Sequence, residues 1–142
     1  MTETKAAADF GDSTEKTRKI KVFHEPSSAG YGSIISDSAD DNFEIIEVKS
    51  SLVPHRATFG VRIKGDSMNP KILDGDIVWV EYIPQLNSGD IGIFSYNGES
   101  YCKKYIVDFD NKVIRLVSFN PIYDDILIYD DRDLRTIGRV IF

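Results

Sequence analysis

Apolar and polar positions alternate with a period of two along much of this chain. Phe59, Val61 and Ile63 are separated by Gly60, Arg62 and Lys64, the pattern of a strand with one inward and one outward face. Residues 77–83, IVWVEYI, form a continuous β-branched and aromatic run that reads as a buried strand. Further strand-like runs occupy 90–96 (DIGIFSY), 99–107 (ESYCKKYIV), 111–117 (NKVIRLV), 125–129 (DILIY) and 134–142 (LRTIGRVIF). Turn formers separate them: Asp74-Gly75-Asp76, Asn87-Ser88-Gly89-Asp90, Asn97-Gly98, Asp110-Asn111 and Asn120-Pro121. Asn97-Gly98 is the strongest hairpin signal, because both residue types tolerate the positive φ of a type I′ turn. No window carries an apolar stripe at helical spacing over three turns, and MNPKIL after Ser67 suffices for one helical turn at most. The pattern predicts a mostly β domain, a compact and strongly curved set of sheets.

The pattern is weaker at the N-terminal end. Residues 1–19 hold one aromatic, Phe10, among charged, Thr, Ser and Ala residues, so 1–24 read as a flexible tail or linker and 25–142 as the domain. Small residues dominate 26–38 (PSSAGYGSIISDS), which reads as an exposed, adaptable loop, and the acidic stretch from Asp37 to Glu47 reads as a solvated edge.

Composition narrows the function classes. A length of 142 residues suits one domain, and 42% hydrophobic with 11% aromatic residues suffices for a core. Seventeen Lys and Arg against twenty-three Asp and Glu leave a net charge of −6, whereas a domain that grips phosphate backbones is normally basic. The single cysteine excludes an internal disulfide and fits a cytoplasmic protein. The longest apolar runs fall far short of the ~20 residues that span a bilayer, and the polar N-terminus has no apolar signal core, so no membrane contact is expected.

Three features carry candidate chemistry: the turn Gly65-Asp66-Ser67-Met68, the pair Lys103-Lys104, and Ala29-Gly30 in the small-residue loop. A serine at a strand-to-turn junction exposes its hydroxyl beside backbone N–H groups able to stabilise an oxyanion. The elbow G-x-S-x-G is not met, since position 69 is Asn. His24 and His55 both stand in weak positions for a triad, in the N-terminal segment and in a loop after Pro54. A lysine base is the alternative, provided that burial lowers its pKa from about 10.4 towards neutrality. Strand parity puts Lys103 with Tyr101 and Tyr105 on one face, and Lys104 with Cys102 and Ile106 on the other, without choosing between them. Cys102 has no nearby histidine and reads as a small buried hydrophobe. The acidic pairs Asp124-Asp125 and Asp130-Asp131 lack calcium-loop spacing, and neither a Cys/His cluster nor a phosphate-binding glycine loop occurs, so no metal or cofactor is expected.

Taken in order, these motifs resemble the self-cleaving domain of LexA-type and phage repressors, shared with UmuD. The resemblance runs from about Val22 to Phe142 through Ala29-Gly30, VRIKGDSMNPKILDGDIVWVE (61–81), SGDIGIF (88–94), YCKKY (101–105), LVSFNPIYDDILI (116–128) and IGRVIF (137–142). It implies a highly curved all-β domain that dimerises and cleaves its own chain. By this resemblance Ser67 is the nucleophile, Lys103 the base, and Ala29-Gly30 the scissile bond in a cleavage loop at about 26–38. Lys104 matches the non-catalytic second basic position, while Gly65, Asp66 and Met68 support the turn and the oxyanion. The resemblance also implies promotion of cleavage by a RecA-type recombinase filament on single-stranded DNA, as in an SOS-type response. Residues 1–24 hold no helix-turn-helix, so operator DNA would be contacted only through a domain absent from this chain. The alternatives are a stand-alone UmuD-like accessory subunit of a translesion polymerase, or a non-cleaving dimerisation or sensor domain.

Overall fold

The structure is a computed structural model that describes residues 15–26, 29 and 42–142. Within these residues the chain forms β1 (Thr17–Phe23), β2 (Phe43–Lys49), β3 (Phe59–Arg62), β4 (Ile77–Glu81), β5 (Ile91–Tyr96), β6 (Glu99–Asp108), β7 (Val113–Val117), β8 (Ile126–Ile128) and β9 (Leu134–Ile141). Short 3₁₀ turns lie at Ser50–Leu52 and Asp131–Asp133. The strands make one mixed sheet in the order β2-β1-β3-β4-β9-β5-β6-β7-β8, with β1 and β3 the parallel neighbours. The mostly β expectation holds.

The expected flexible tail over 1–24 is corrected in its last part. Thr17–Phe23 is a full strand, paired with β2 along its length and with β3 at Val22 and Phe23. Ile20, Val22 and Phe23 are buried, and the Phe23 ring meets those of Phe43 and Phe59 edge-on at 5.7 and 5.6 Å. Residues 1–14 lie outside the described residues, as does most of the 26–38 loop. The acidic stretch reaches the described residues at β2, which is an edge strand of the sheet.

Two close approaches bend the sheet where β4, β9 and β5 meet. A Cβ on Gly138 would stand 2.6 Å from the Glu81 carbonyl oxygen, and one on Gly92 would stand 3.0 Å from that of Gly138. The register between β5 and β9 also shifts after Ile93: Ile93 faces Gly138 whereas Phe94 faces Thr136, leaving Ile137 as an extra residue on β9. Such a bulge strengthens local twist and turns the strand. The hairpin at Asn97-Gly98 has positive φ at both residues (51° and 82°), as a type I′ turn requires, and aligns Tyr96 with Glu99. That hairpin fixes the register of β6 and hence where its lysines lie.

The main core gathers Phe23, Phe59, Val61, Ile63, Met68, Ile93, Cys102 and Ile137. A second cluster under β7 and β8 centres on Phe94, Leu116 and Ile128. The candidate site lies at the end of the main core, where the turn after β3 meets β6.

Candidate active site

The chain after β3 folds back on itself through paired carboxylates. The Ile63 amide donates to the Asp76 carbonyl and the Gly75 amide to the Ile63 carbonyl, both at 2.8 Å, while the Leu73 amide reaches the Asp76 carboxylate at 2.8 Å. Gly65 takes φ +89°, a conformation that side chains disfavour, and donates its amide to the Asp74 carboxylate at 2.7 Å. This is why Asp74 stands nine residues after Gly65: its carboxylate satisfies the backbone of the Gly-Asp-Ser turn, while that of Asp76 serves Leu73. Gly65 therefore serves the turn; its N–H is spent on Asp74. Met68 is 1% exposed and anchors the loop in the core, a burial worth about 1.5–3 kcal/mol. Ser67, between the exposed Asp66 and buried Met68, is left half-buried.

The loop after β7 closes over this turn. Asn120 donates its backbone N–H to the Ser67 carbonyl at 2.9 Å and its Nδ2 to the Asp66 carbonyl at 3.0 Å. The Tyr123 hydroxyl donates to the Asp66 carboxylate. These residues form the clasp that holds the Ser67 backbone.

Lys103 enters from β6. The ladder pairs Lys104 with Val117, so Lys103 stands opposite Ser118, one step beyond its end. The Lys103 Nζ donates to Ser118 Oγ at 2.7 Å and lies 5.7 Å from the centre of the Tyr123 ring. Lys103 is 7% exposed, and burial lowers its pKa from the usual lysine value, against an opposing pull from the Cys102 thiol. Lys104 is half-buried on the other face, with its amine 5.8 Å from the Phe119 ring. Burial pushes the Cys102 thiol up to about 12, so it stays protonated and unreactive, in keeping with a core role.

Ser67 and Lys103 share the walls of two hollows. One, of about 360 Å³, is lined by Glu25, Pro26, Ser67, Met68, Tyr101 and Lys103 among others. The other, of about 380 Å³, is lined by Asp66, Ser67, Lys103, Ser118, Tyr123 and Ile126 among others. Ala29 is 1% exposed, in the same apolar cluster as Ile63, Met68 and Cys102, which also line the first hollow. Gly30 lies outside the described residues. Neither histidine lines either hollow: His24 follows β1, with its amide on the Asn42 carbonyl, and His55 is exposed. No metal-holding group of His, Cys, Asp or Glu occurs among the described residues. Nor is any helix there long and apolar enough to cross a membrane.

The sequence reading missed Ser118 and gave Asn120 no role beyond its motif. Pairing β6 with β7 around Asp110-Asn111 was the signal that could have placed Ser118 opposite Lys103.

A serine and a buried lysine lining the same hollows of an all-β scaffold agree with the family that the chain matches. The model of the Peptidase S24-like family matches residues 21–141. The chain belongs to the Peptidase S24-like family. Among similar proteins, a LexA repressor from Carboxydothermus hydrogenoformans is 36% identical over 115 residues, covering 80% of this chain and 54% of that protein. A LexA repressor from Oleidesulfovibrio alaskensis is 34% identical over 95 residues, covering 66% and 45%. A protein called LexA repressor 2 from Pseudomonas syringae pv. tomato is 31% identical over 100 residues, covering 66% and 48%. The chain thus spans about half the length of these relatives. The S24-like match begins inside β1 and ends at the last residue of β9, so it takes in the described sheet except the first four residues of β1.

Proposed function

We propose that this chain is the self-cleaving regulatory domain of a LexA-like repressor, with Ser67 as nucleophile and Lys103 as base. The observation that carries the reading is the burial of Lys103 in the walls it shares with Ser67: a desolvated amine yields its proton more readily than a solvated one. The neutral amine takes the Ser67 hydroxyl proton as Oγ attacks the Ala29 carbonyl carbon. The resulting ammonium returns that proton to the Gly30 nitrogen as the Ala29–Gly30 bond breaks, and water then releases the acyl group from Ser67. No acceptor among the described residues takes the Ser67 amide, which is assigned to the developing oxyanion beside Asp66 and Met68.

The similarity to LexA repressors favours the repressor reading over an accessory subunit of a translesion polymerase. In that reading operator DNA is held by a separate domain, and this domain joins two copies. The exposed C-terminal Phe142 (73%) is an apolar surface suited to a second copy. Cleavage then disconnects dimerisation from DNA binding, and two half-sites lose their tether. A RecA-type filament would promote cleavage by favouring the conformation with the loop docked and the amine neutral.

The test is incubation of the full chain across pH with the products weighed. Fragments 1–29 and 30–142 are expected, and Ser67→Ala should abolish them. Cutting elsewhere, or cutting that survives Ser67→Ala, overturns the assignment.

A further inference from the structure

Lys103 and Ser118 are the two polar side chains buried with the core among the described residues, at 7% and 8% exposure, and they are bonded to each other. A buried hydroxyl is costly unless it is paired. Ordering a lysine side chain is also costly, since it surrenders its rotamer freedom. The sheet itself has no need of a serine at 118: this position follows Val117 at the end of β7, beside Leu116 of the second core cluster, where an apolar residue would pack. The demand for a hydroxyl comes from across the ladder, where the register sets Lys103 directly opposite.

We infer that Ser118 is a positioning residue for the base, holding the Lys103 amine by accepting one of its N–H groups. The inference rests on the Ser67–Lys103 reading and adds a third member to it. A neutral amine has two N–H donors and one lone pair. Donation to Ser118 uses an N–H and leaves the lone pair for the Ser67 proton. When Ser67 Oγ–H breaks and the fourth bond to the amine nitrogen forms, Ser118 neither gains nor loses a proton. It goes on accepting, now from an ammonium, and charge-assisted bonds are the stronger kind. Ser118 therefore favours the protonated amine and opposes the effect of burial.

The other groups around the amine come from several elements. Cys102, Tyr101 and Glu99 share its strand, Lys64 and Glu25 line the first hollow, and Asp66, Tyr123 and Asp124 line the second. All of them remain when Ser118 alone is changed, so the change isolates the hydroxyl.

Two measurements test the inference. The first is an NMR titration of the Lys103 Cε in the full chain carrying Ser67→Ala, which needs no cleavage. Adding Ser118→Ala is expected to move the Lys103 midpoint to lower pH, Ser118→Thr to restore it, and Ser118→Cys, a weak acceptor, to fall between. The second is the pH–rate profile of self-cleavage with Ser67 intact. There Ser118→Ala should lower the plateau by about 10-fold to 100-fold, the scale of a misplaced reacting group, and Ser118→Thr should recover it. Circular dichroism of each variant identifies any loss of fold, in which case the Thr and Cys variants carry the comparison. An unchanged midpoint and plateau in Ser118→Ala overturns the inference. So does a slower plateau that Ser118→Thr fails to rescue while the midpoint stays fixed, which marks a packing role. If the unsubstituted chain never cuts itself although the NMR midpoint follows Ser118, the Ser67–Lys103 reading falls and the coupling of Ser118 to Lys103 stands.

Discussion

Asn120 donates its backbone N–H to the carbonyl oxygen of Ser67 at 2.9 Å, tying the turn after β3 to the loop after β7. The same residue sends its Nδ2 to the Asp66 carbonyl at 3.0 Å, and Tyr123 adds its hydroxyl to the Asp66 carboxylate. On the proposed reading of Ser67 as nucleophile, its backbone must be held for its hydroxyl and amide to meet one carbonyl together, and this clasp would supply the hold. Asn120→Ala keeps the backbone bond and loses both side-chain bonds, Nδ2 to Asp66 and the Ile122 amide to Oδ1 at 3.2 Å; the loss of the one that holds Asp66 is a net cost of about 1 kcal/mol. If that cost falls on the transition state, self-cleavage slows by roughly fivefold to tenfold. Timed mass spectrometry measures it, and a rate equal to that of the unsubstituted chain removes Asn120 from the site.

The lysine pair gives a sharper test. Lys103 is bonded to Ser118 in the walls of both hollows, whereas Lys104 is placed against Phe119 on the opposite face of β6. Lys103→Ala should abolish self-cleavage, and Lys104→Ala should retain most of it. The reverse result would require β6 to be shifted by one residue, because such a slip exchanges the faces of every side chain.

Much of the fold was legible in the alternation of apolar and polar residues, and the exceptions have physical causes. β1 was hidden because Arg18, Lys19 and Lys21 make its sequence read as a polar linker, although Ile20 and Val22 alternate correctly. Lys21 illustrates the disguise, with its amine 4.5 Å from the Phe43 ring centre on the neighbouring strand. Such cations lay their stems on apolar surface and look solvated only in sequence. The choice between Lys103 and Lys104 was illegible from parity, because β6 is covered on both faces at this point. Cys102 enters the main core while its neighbour Lys103 is buried toward Ser118. Ser118 and Asn120 escaped because their roles depend on register and loop closure, which join residues distant in the chain.

The bend at β9 should be intolerant of any side chain. A methyl on Gly138 would stand 2.6 Å from the Glu81 carbonyl oxygen and 2.6 Å from Val80 Cγ1, and the former is backbone that cannot swing aside. Gly138→Ala should destabilise the domain by about 1–3 kcal/mol through overpacking. Gly98→Ala meets open space, and its cost should come from the positive φ of 82° alone. Urea unfolding of both variants checks this. A Gly138→Ala protein as stable as the parent would mean that β4 and β9 separate more easily than their contact implies.

On the proposed reading, the depressed pKa of Lys103 makes self-cleavage and stability rise together with pH. Burial favours the neutral amine, so the folded protein releases this proton at a lower pH than the unfolded chain, where lysine titrates near its usual value. Below the folded pKa both states hold the proton, and the fold bears the whole cost of a buried ammonium. Between the folded pKa and the unfolded value the unfolded chain binds more protons, so stability from this residue rises with pH. Self-cleavage should rise through the folded pKa and then level off, because the base is then fully neutral. Lys103→Met removes the charge and retains most of the volume. It should raise the melting temperature at neutral pH, with the gain shrinking as pH approaches the normal lysine pKa, while abolishing cleavage throughout. Thermal melts of the Ser67→Ala chain with and without Lys103→Met, taken over that range, avoid cutting during the scan. A gain independent of pH would show that the amine does not titrate in a buried site, and the base would have to be sought elsewhere.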